Sequence, residues 1–171
     1  METWDAIRAR RNVRDFTDEP VPAEQLDRIL EAARRTPSSQ NTQPWDFVVV
    51  TERDRLVELA RVWRGAGHVA RSAATVALVT AAPADGQLRP SVHYDLGQAT
   101  MSIMLAAADL GIGSGHAAVD DQDMARRVLG LPPDRHCAYL IALGHPAGRP
   151  LTPIARPDRR AFDEVVHREH W

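Results

Sequence analysis

Lysine is absent: all 21 basic residues of this 171-residue chain are arginine. Against 23 acidic residues they leave a formal net charge of -2, which excludes a generally basic nucleic-acid-binding surface. Cysteine occurs once, at Cys137, which excludes an internal disulfide framework and a Cys-rich zinc site. That residue opens the apolar run Cys137-Ala138-Tyr139-Leu140-Ile141-Ala142-Leu143 and reads as a small core side chain. Aromatic residues are scarce (four Trp, two Tyr, three Phe), so few rings are available to cover a ligand. No apolar stretch reaches the roughly 20 residues that cross a bilayer. The opening Met1-Glu2-Thr3-Trp4-Asp5 lacks a signal-peptide pattern, so a cytoplasmic protein without membrane contact is expected.

Metal chemistry finds little support. His167 and His170 stand three apart in a charged stretch with no third ligand nearby. Asp120-Asp121-Gln122-Asp123 reads as an acidic helix start, stabilised by capping and the helix dipole. No metal site is expected.

What is present is enough apolar sequence for one domain: 44% of the chain, at a length that can bury about 70% of its unfolded surface. Thr3 can cap a short helix to about Arg11. Pro22 suits the first position of a second helix, whose Leu26, Ile29, Leu30 and Ala33 form one stripe. That helix must stop before Pro37. Trp45–Thr51 and Ala74–Ala81 read as strands, the first with a continuous apolar run that suggests burial on both faces. Arg53–Arg64 reads as a helix. Val92–Leu110 reads as a long one, apolar along Met101, Met104, Leu105 and Ala108 and buried nearly all round. Asp120 can cap a helix to about Leu129, and Ala138–Leu143 reads as a further core strand. Residues 144–171 hold too little apolar content to fold alone, so they should lie across another surface. About four strands and five helices, with two helices before any strand, favour an α+β fold.

Charge is unevenly spread. Arg8, Arg10, Arg11 and Arg14 fall in a stretch without acids. Arg149, Arg156, Arg159 and Arg160 lie near the other end with only Asp158 among them. Planar guanidinium forks match phosphate oxygens, so two such segments could converge on one anion. Between two prolines, Pro37-Ser38-Ser39-Gln40-Asn41-Thr42-Gln43-Pro44 is a polar loop. Its amides both donate and accept, as a heteroaromatic ring edge requires. Gly111-Ile112-Gly113-Ser114-Gly115-His116 matches neither a phosphate P-loop nor a dinucleotide fingerprint, but its glycines let backbone approach a flat ligand.

Together these segments resemble the FMN-dependent nitroreductase family. Arg10-Arg11-Asn12-Val13-Arg14-Asp15-Phe16 is similar to its opening Arg-Arg-Ser-Val-Arg-x-Phe, with Asn12 in place of Ser. The loop Pro37–Trp45 is similar to its Pro-Ser-x-x-Asn-x-Gln-Pro-Trp. Gly111-Ile112-Gly113-Ser114 matches the segment after the long helix. Arg159-Arg160-Ala161-Phe162-Asp163-Glu164-Val165-Val166 resembles its closing motif, with Ala161 where Pro is usual.

The resemblance implies a mainly antiparallel sheet flanked by helices, in an intertwined homodimer with FMN at the interface. Residues 1–171 would form one domain, with 145–171 a tail extending onto the partner subunit. It implies a cofactor set of Arg10, Arg11, Asn12, Arg14, Arg159 and Arg160 around the phosphate, ribityl chain or ring edge. Pro37, Ser38, Ser39, Asn41 and Gln43 would reach the flavin from the partner subunit, and Ser114 and Gly115 would lie along the ring. It also implies an oxidoreductase that takes reducing equivalents from NADH or NADPH in ping-pong fashion. A nitroaromatic, quinone or activated alkene would be the small-molecule acceptor. His116, beside the glycines, is the candidate proton donor. The alternatives are a flavin-sequestering or flavin-degrading protein of the same fold, or a relative that uses a deazaflavin.

Overall fold

The computed structural model describes residues 1–171. Its centre is a four-stranded antiparallel sheet in the order β1-β2-β4-β3: β1 is Asp46–Val50, β2 Ala74–Ala81, β3 Gly113–Ala118 and β4 Arg135–Gly144. Helices cover both faces. α2 (Ala23–Arg34) and α4 (Pro90–Asp109) pack on one, and α3 (Arg53–Leu59) and α5 (Gln122–Leu129) on the other. Strand alternation feeds both layers: Val76, Leu78, Ile141 and Leu143 point toward α2 and α4, Ala77, Val79, Leu140 and Ala142 toward α3 and α5. The α+β expectation and the antiparallel sheet hold.

One irregularity shapes the site. Leu78 pairs with Tyr139 but Val79 with Cys137, so Ala138 is an extra residue in β4. This bulge puts Ala138 and the neighbouring Tyr139 both on the α4 side, with Cys137 buried opposite. Cys137 is the core residue expected, its thiol pushed up to about 12 by burial.

Several boundaries differ from expectation for identifiable reasons. α1 covers Thr3–Ala9 and ends before Arg11, because the chain turns away at Arg10 and Val13 N–H donates to the Ser114 carbonyl at 2.8 Å. Residues 10–16 thus line the outer edge of β3 and end in a bridge from Phe16 to Pro146. Pro22 stands one residue outside α2, and Thr3 caps nothing. α3 stops at Leu59 rather than Arg64, since the Val62 carbonyl accepts from the amides of Asp120 and Asp121, each at 3.0 Å. Asp121, not Asp120, caps α5.

β1 is an edge strand and not buried on both faces; Val49 is exposed and only Val50 is fully covered. Met101 is exposed and Leu105 half-buried, so α4 is not buried all round within one chain. The glycine segment after the long helix leads into a full strand, Gly113–Ala118, and Gly111 at φ 74 makes the turn into it.

Beyond β4 the chain stays close to the surface. Ile154 N–H donates to the Arg8 carbonyl at 3.1 Å, Leu151 is buried, and a single turn, α6 (Phe162–Val165), follows. Large apolar side chains left exposed lie on α1 (with Met1), α4 and this tail, apart from Val49 and Val57. No helix is long and apolar enough to cross a membrane.

Candidate functional site

Two adjoining clefts share Arg10 and Asn12, the residues where the chain leaves α1. The first, of about 430 Å³, is lined by Arg10, Arg11, Asn12, Arg149, Ile154, Arg156, Pro157, Asp158 and Arg159. None of these guanidinium groups forms an ion pair with a carboxylate. Arg11 is spent on structure. Its guanidinium donates to the carbonyls of Arg149 and Pro150, and burial with the neighbouring Arg149 charge lowers its pKa. The two basic segments of the sequence therefore do converge, on a cleft rich in unpaired forks.

The second cleft, of about 420 Å³, lies between α4 and the outer half of the sheet. α4 contributes His93, Gly97, Thr100, Met101 and Met104, residues three or four apart on one helix face. β3 contributes His116 and β4 contributes Tyr139, turned this way by the bulge. Tyr139 Oη and His93 Nδ1 are 2.9 Å apart. Arg10 reaches the thioether of Met104 at 4.0 Å. Gly97 stands mid-helix, yet a methyl group there would touch no protein atom. Packing gives no reason for a residue that weakens a helix by about 1 kcal/mol relative to alanine.

The remaining sequence-derived site residues are placed elsewhere. Arg14 is exposed near His68, whose pKa it helps to lower. Arg160 is turned onto its own tail, donating to the Glu164 carbonyl at 2.9 Å. It does not line the cleft with Arg10 and Arg159. Ser114 and Gly115 are buried and line neither cleft; the Cα of Gly115 faces Val13 and His68 on the opposite side of the sheet, while Ser114 shares the face of His116 but is covered.

Pro37, Ser38, Ser39, Asn41 and Gln43 sit beyond α4, away from both clefts of this chain. Their loop is tightly specified. Gln40, Asn41 and Gln43 hold positive φ of 53°, 57° and 47°. The Ser38 hydroxyl accepts from Gln43 N–H at 2.8 Å, and the loop is tied to α4 through buried Asp95. Gln43 borders a larger cleft of about 720 Å³ beside residues 80–89, remote from Arg10.

The sequence reading missed Arg149 and Arg156 as cleft residues, although it noted their cluster. It also missed Asp95, Gly97 and Tyr139, and gave His93 only as a weaker proton-donor candidate than His116. An aspartate alone inside a long apolar helix was the available signal for Asp95. Nothing in the sequence marks Tyr139, whose direction depends on the bulge.

The donor set suits a phosphorylated ring compound, with uncompensated guanidinium groups at one end and small, apolar and amide-bearing side chains at the other. No group of His, Cys, Asp and Glu is arranged to hold a metal.

The chain is similar to known proteins over most of its length. The nitroreductase family model matches residues 7–64 and 56–145. A protein of Methanothermobacter thermautotrophicus, provisionally named an NADH dehydrogenase/NAD(P)H nitroreductase, is 32% identical over 177 residues, covering 100% of this chain and 88% of its own. The NADH dehydrogenase of Thermus thermophilus is 29% identical over 180 residues, covering 86% of this chain and 88% of its own. Among solved structures, an FMN-dependent nitroreductase of Clostridium difficile superposes with a TM-score of 0.83 at 22% identity, covering 97% of this chain and 98% of that one. The chain belongs to the nitroreductase family.

Proposed function

We propose that the protein is an FMN-dependent oxidoreductase that passes reducing equivalents from a reduced nicotinamide to a small-molecule acceptor. The observation that carries this reading is the pair of clefts meeting at Arg10 and Asn12, one lined with unpaired arginines and the other by Gly97, Thr100, Met101 and Met104 of α4. A phosphate would sit between the Arg10 and Arg159 forks. The ring would lie over α4 at Gly97 and Thr100, against Met101 and Met104.

The cofactor supplies two-electron chemistry between donor and acceptor. The chain supplies the rest. Arg10, shared by the two clefts, would hold the phosphate end of the cofactor, and its charge would favour negative charge at the adjoining ring edge. Asn12 offers both a donor and an acceptor to that edge. His116, exposed at the cleft, would give a proton to a reduced acceptor, and the hydrogen-bonded Tyr139–His93 pair lines the same cleft. The acceptor would be a nitroaromatic, quinone or activated alkene in a second half-reaction.

The loop Pro37–Gln43 would complete the site across a homodimer, reaching the ring bound mainly by the other subunit. Its exposed amides lie far from their own chain's clefts and are held rigidly, as such a role requires. Residues 149–159 stay on their own chain beside Arg10 and Arg11, so only the end of the tail, from about residue 160, would cover the partner, which gives exposed Phe162, Val165 and Trp171 something to pack against.

The test is purification followed by incubation with FMN. A stoichiometric flavin spectrum is expected, with anaerobic bleaching by NAD(P)H and reoxidation by menadione. Arg10→Ala with Arg159→Ala should raise the FMN Kd at least tenfold. A protein that binds no FMN, or a stable monomer that binds it fully, refutes the reading.

A further inference from the structure

The first cleft holds more positive charge than one phosphate accounts for. Arg10, Arg149, Arg156 and Arg159 border it without a carboxylate partner, while many other arginines do pair, such as Arg28 with Asp109 at 2.8 Å and Arg126 with Asp123 at 2.8 Å. Asp158 is the only acid at its rim, and Arg159 engages the backbone carbonyl of that residue rather than its carboxylate. Grouping like charges without counter-ions is unfavourable, so their retention points to anions.

The segment carrying Arg149 and Arg156 is also fixed in place. Arg11 grips the carbonyls of Arg149 and Pro150, Leu151 is buried, and Ile154 bonds to the Arg8 carbonyl. Arg149 and Arg156 thus flank a pinned stretch and extend the basic surface beyond Arg10 and Arg159. A phosphate monoester carries about -1.5 to -2 charges at neutral pH, which two guanidinium forks satisfy. Arg10 and Arg159 serve the cofactor phosphate in the function proposed above, which leaves a second pair of forks in the same cleft.

We propose that Arg149 and Arg156 bind the 2′-phosphate of the nicotinamide donor, so that the enzyme selects NADPH over NADH. The inference rests on the flavin reading, which supplies the reason for a nicotinamide to dock here. Arginine is suited to this discrimination because it grips a phosphate through two parallel bonds, whereas a free ribose hydroxyl offers it one weaker acceptor.

The experiment uses the FMN-saturated protein, titrated calorimetrically with 2′,5′-ADP and with 5′-AMP, beside kcat/KM for NADPH and NADH. The 2′,5′-ADP should bind at least tenfold more tightly, and NADPH should be preferred by a similar factor. In Arg149→Gln/Arg156→Gln both preferences should collapse toward unity with full FMN content retained. Equal affinities in the unsubstituted protein overturn the proposal, as does a preference that survives the double substitution. A loss of FMN content in the double variant also overturns it, since both arginines would then serve the single cofactor phosphate. These outcomes all arise in a yellow protein. A protein that stays colourless with FMN overturns the flavin reading itself, and this inference with it.

Discussion

The carboxylate of Asp95, almost fully buried in α4, accepts the Ser39 amide at 3.0 and 3.1 Å and the Ser39 hydroxyl at 3.1 Å. One acidic side chain therefore fixes the polar loop to the long helix whose other face lines the ring cleft. Gln98 adds a longer bond to the same oxygen at 3.4 Å. Asp95→Ala would remove the charged acceptor of the Ser39 amide and hydroxyl and of Gln98, at a cost of about 2–3 kcal/mol. For a chain of this size that lowers Tm by roughly 4–12 °C. Asp95→Asn keeps one acceptor oxygen and should lose about half as much. If the loop completes a flavin site across a dimer, FMN affinity falls in the same order. Thermal melts with and without FMN separate the two effects.

Gly115 is constrained from the other side of the sheet. A side-chain carbon there would press into the Val13 carbonyl and sit 3.2 Å from the His68 ring. The carbonyl belongs to the segment paired with Ser114, so it cannot withdraw without breaking that pairing. Gly115→Ala should therefore destabilise by about 1–3 kcal/mol, although its backbone φ is ordinary. Because the same pairing positions Asn12, the variant should also lose FMN affinity. Gly67→Ala, which would meet nothing, is the matched control.

Much of this architecture could be read from the sequence where pattern and packing coincide. The stripe Leu26, Ile29, Ala33 and the run at β2 are buried as their periodicity requires. β1 misled because Phe47-Val48-Val49-Val50 has the composition of an interior strand, while its place at the sheet edge depends on partners distant in sequence. The arginine segments were legible as charge, but their division of labour was not. Arg11 binds carbonyls and Arg160 binds Glu164, choices set by tertiary approach. Tyr139 entered the cleft through a bulge that no local signal announces.

His68 gives the structure a defined response to acid. It is buried, its Nε2 lies 3.3 Å from the Gly115 carbonyl, and its Nδ1 has no hydrogen-bond partner. Since a carbonyl only accepts, Nε2 carries the proton in the neutral ring. Burial, reinforced by the Arg14 and His116 charges, outweighs the backbone contacts to Gly115 and Gly65 and holds its pKa below the usual 6.5. A depressed histidine pKa means the unfolded chain protonates first as pH falls. The stabilisation is complete above pH 6.5 and is lost on descending from there toward the folded pKa. His136, also lowered by burial and by Arg126, acts in the same sense. Tm should fall as the pH descends below 6.5, and the gap between wild type and His68→Gln should narrow as it does. A gap that widens toward acid would contradict a neutral buried ring.

Gly97 separates ligand space from packing space. In the middle of α4 it lowers helix stability by about 1 kcal/mol relative to alanine, and a methyl group there would meet no atom of the chain. Gly97→Ala should thus raise the Tm of the ligand-free protein by a few degrees or leave it unchanged. Gly97→Leu adds bulk toward the cleft it shares with Thr100, Met101 and Tyr139, where a flat ring would lie. That variant should fold as well as the alanine one yet bind FMN at least tenfold more weakly. Parallel melts and flavin titrations of the three proteins decide the matter. Full FMN affinity in a well-folded Gly97→Leu protein would place the ring somewhere other than over α4.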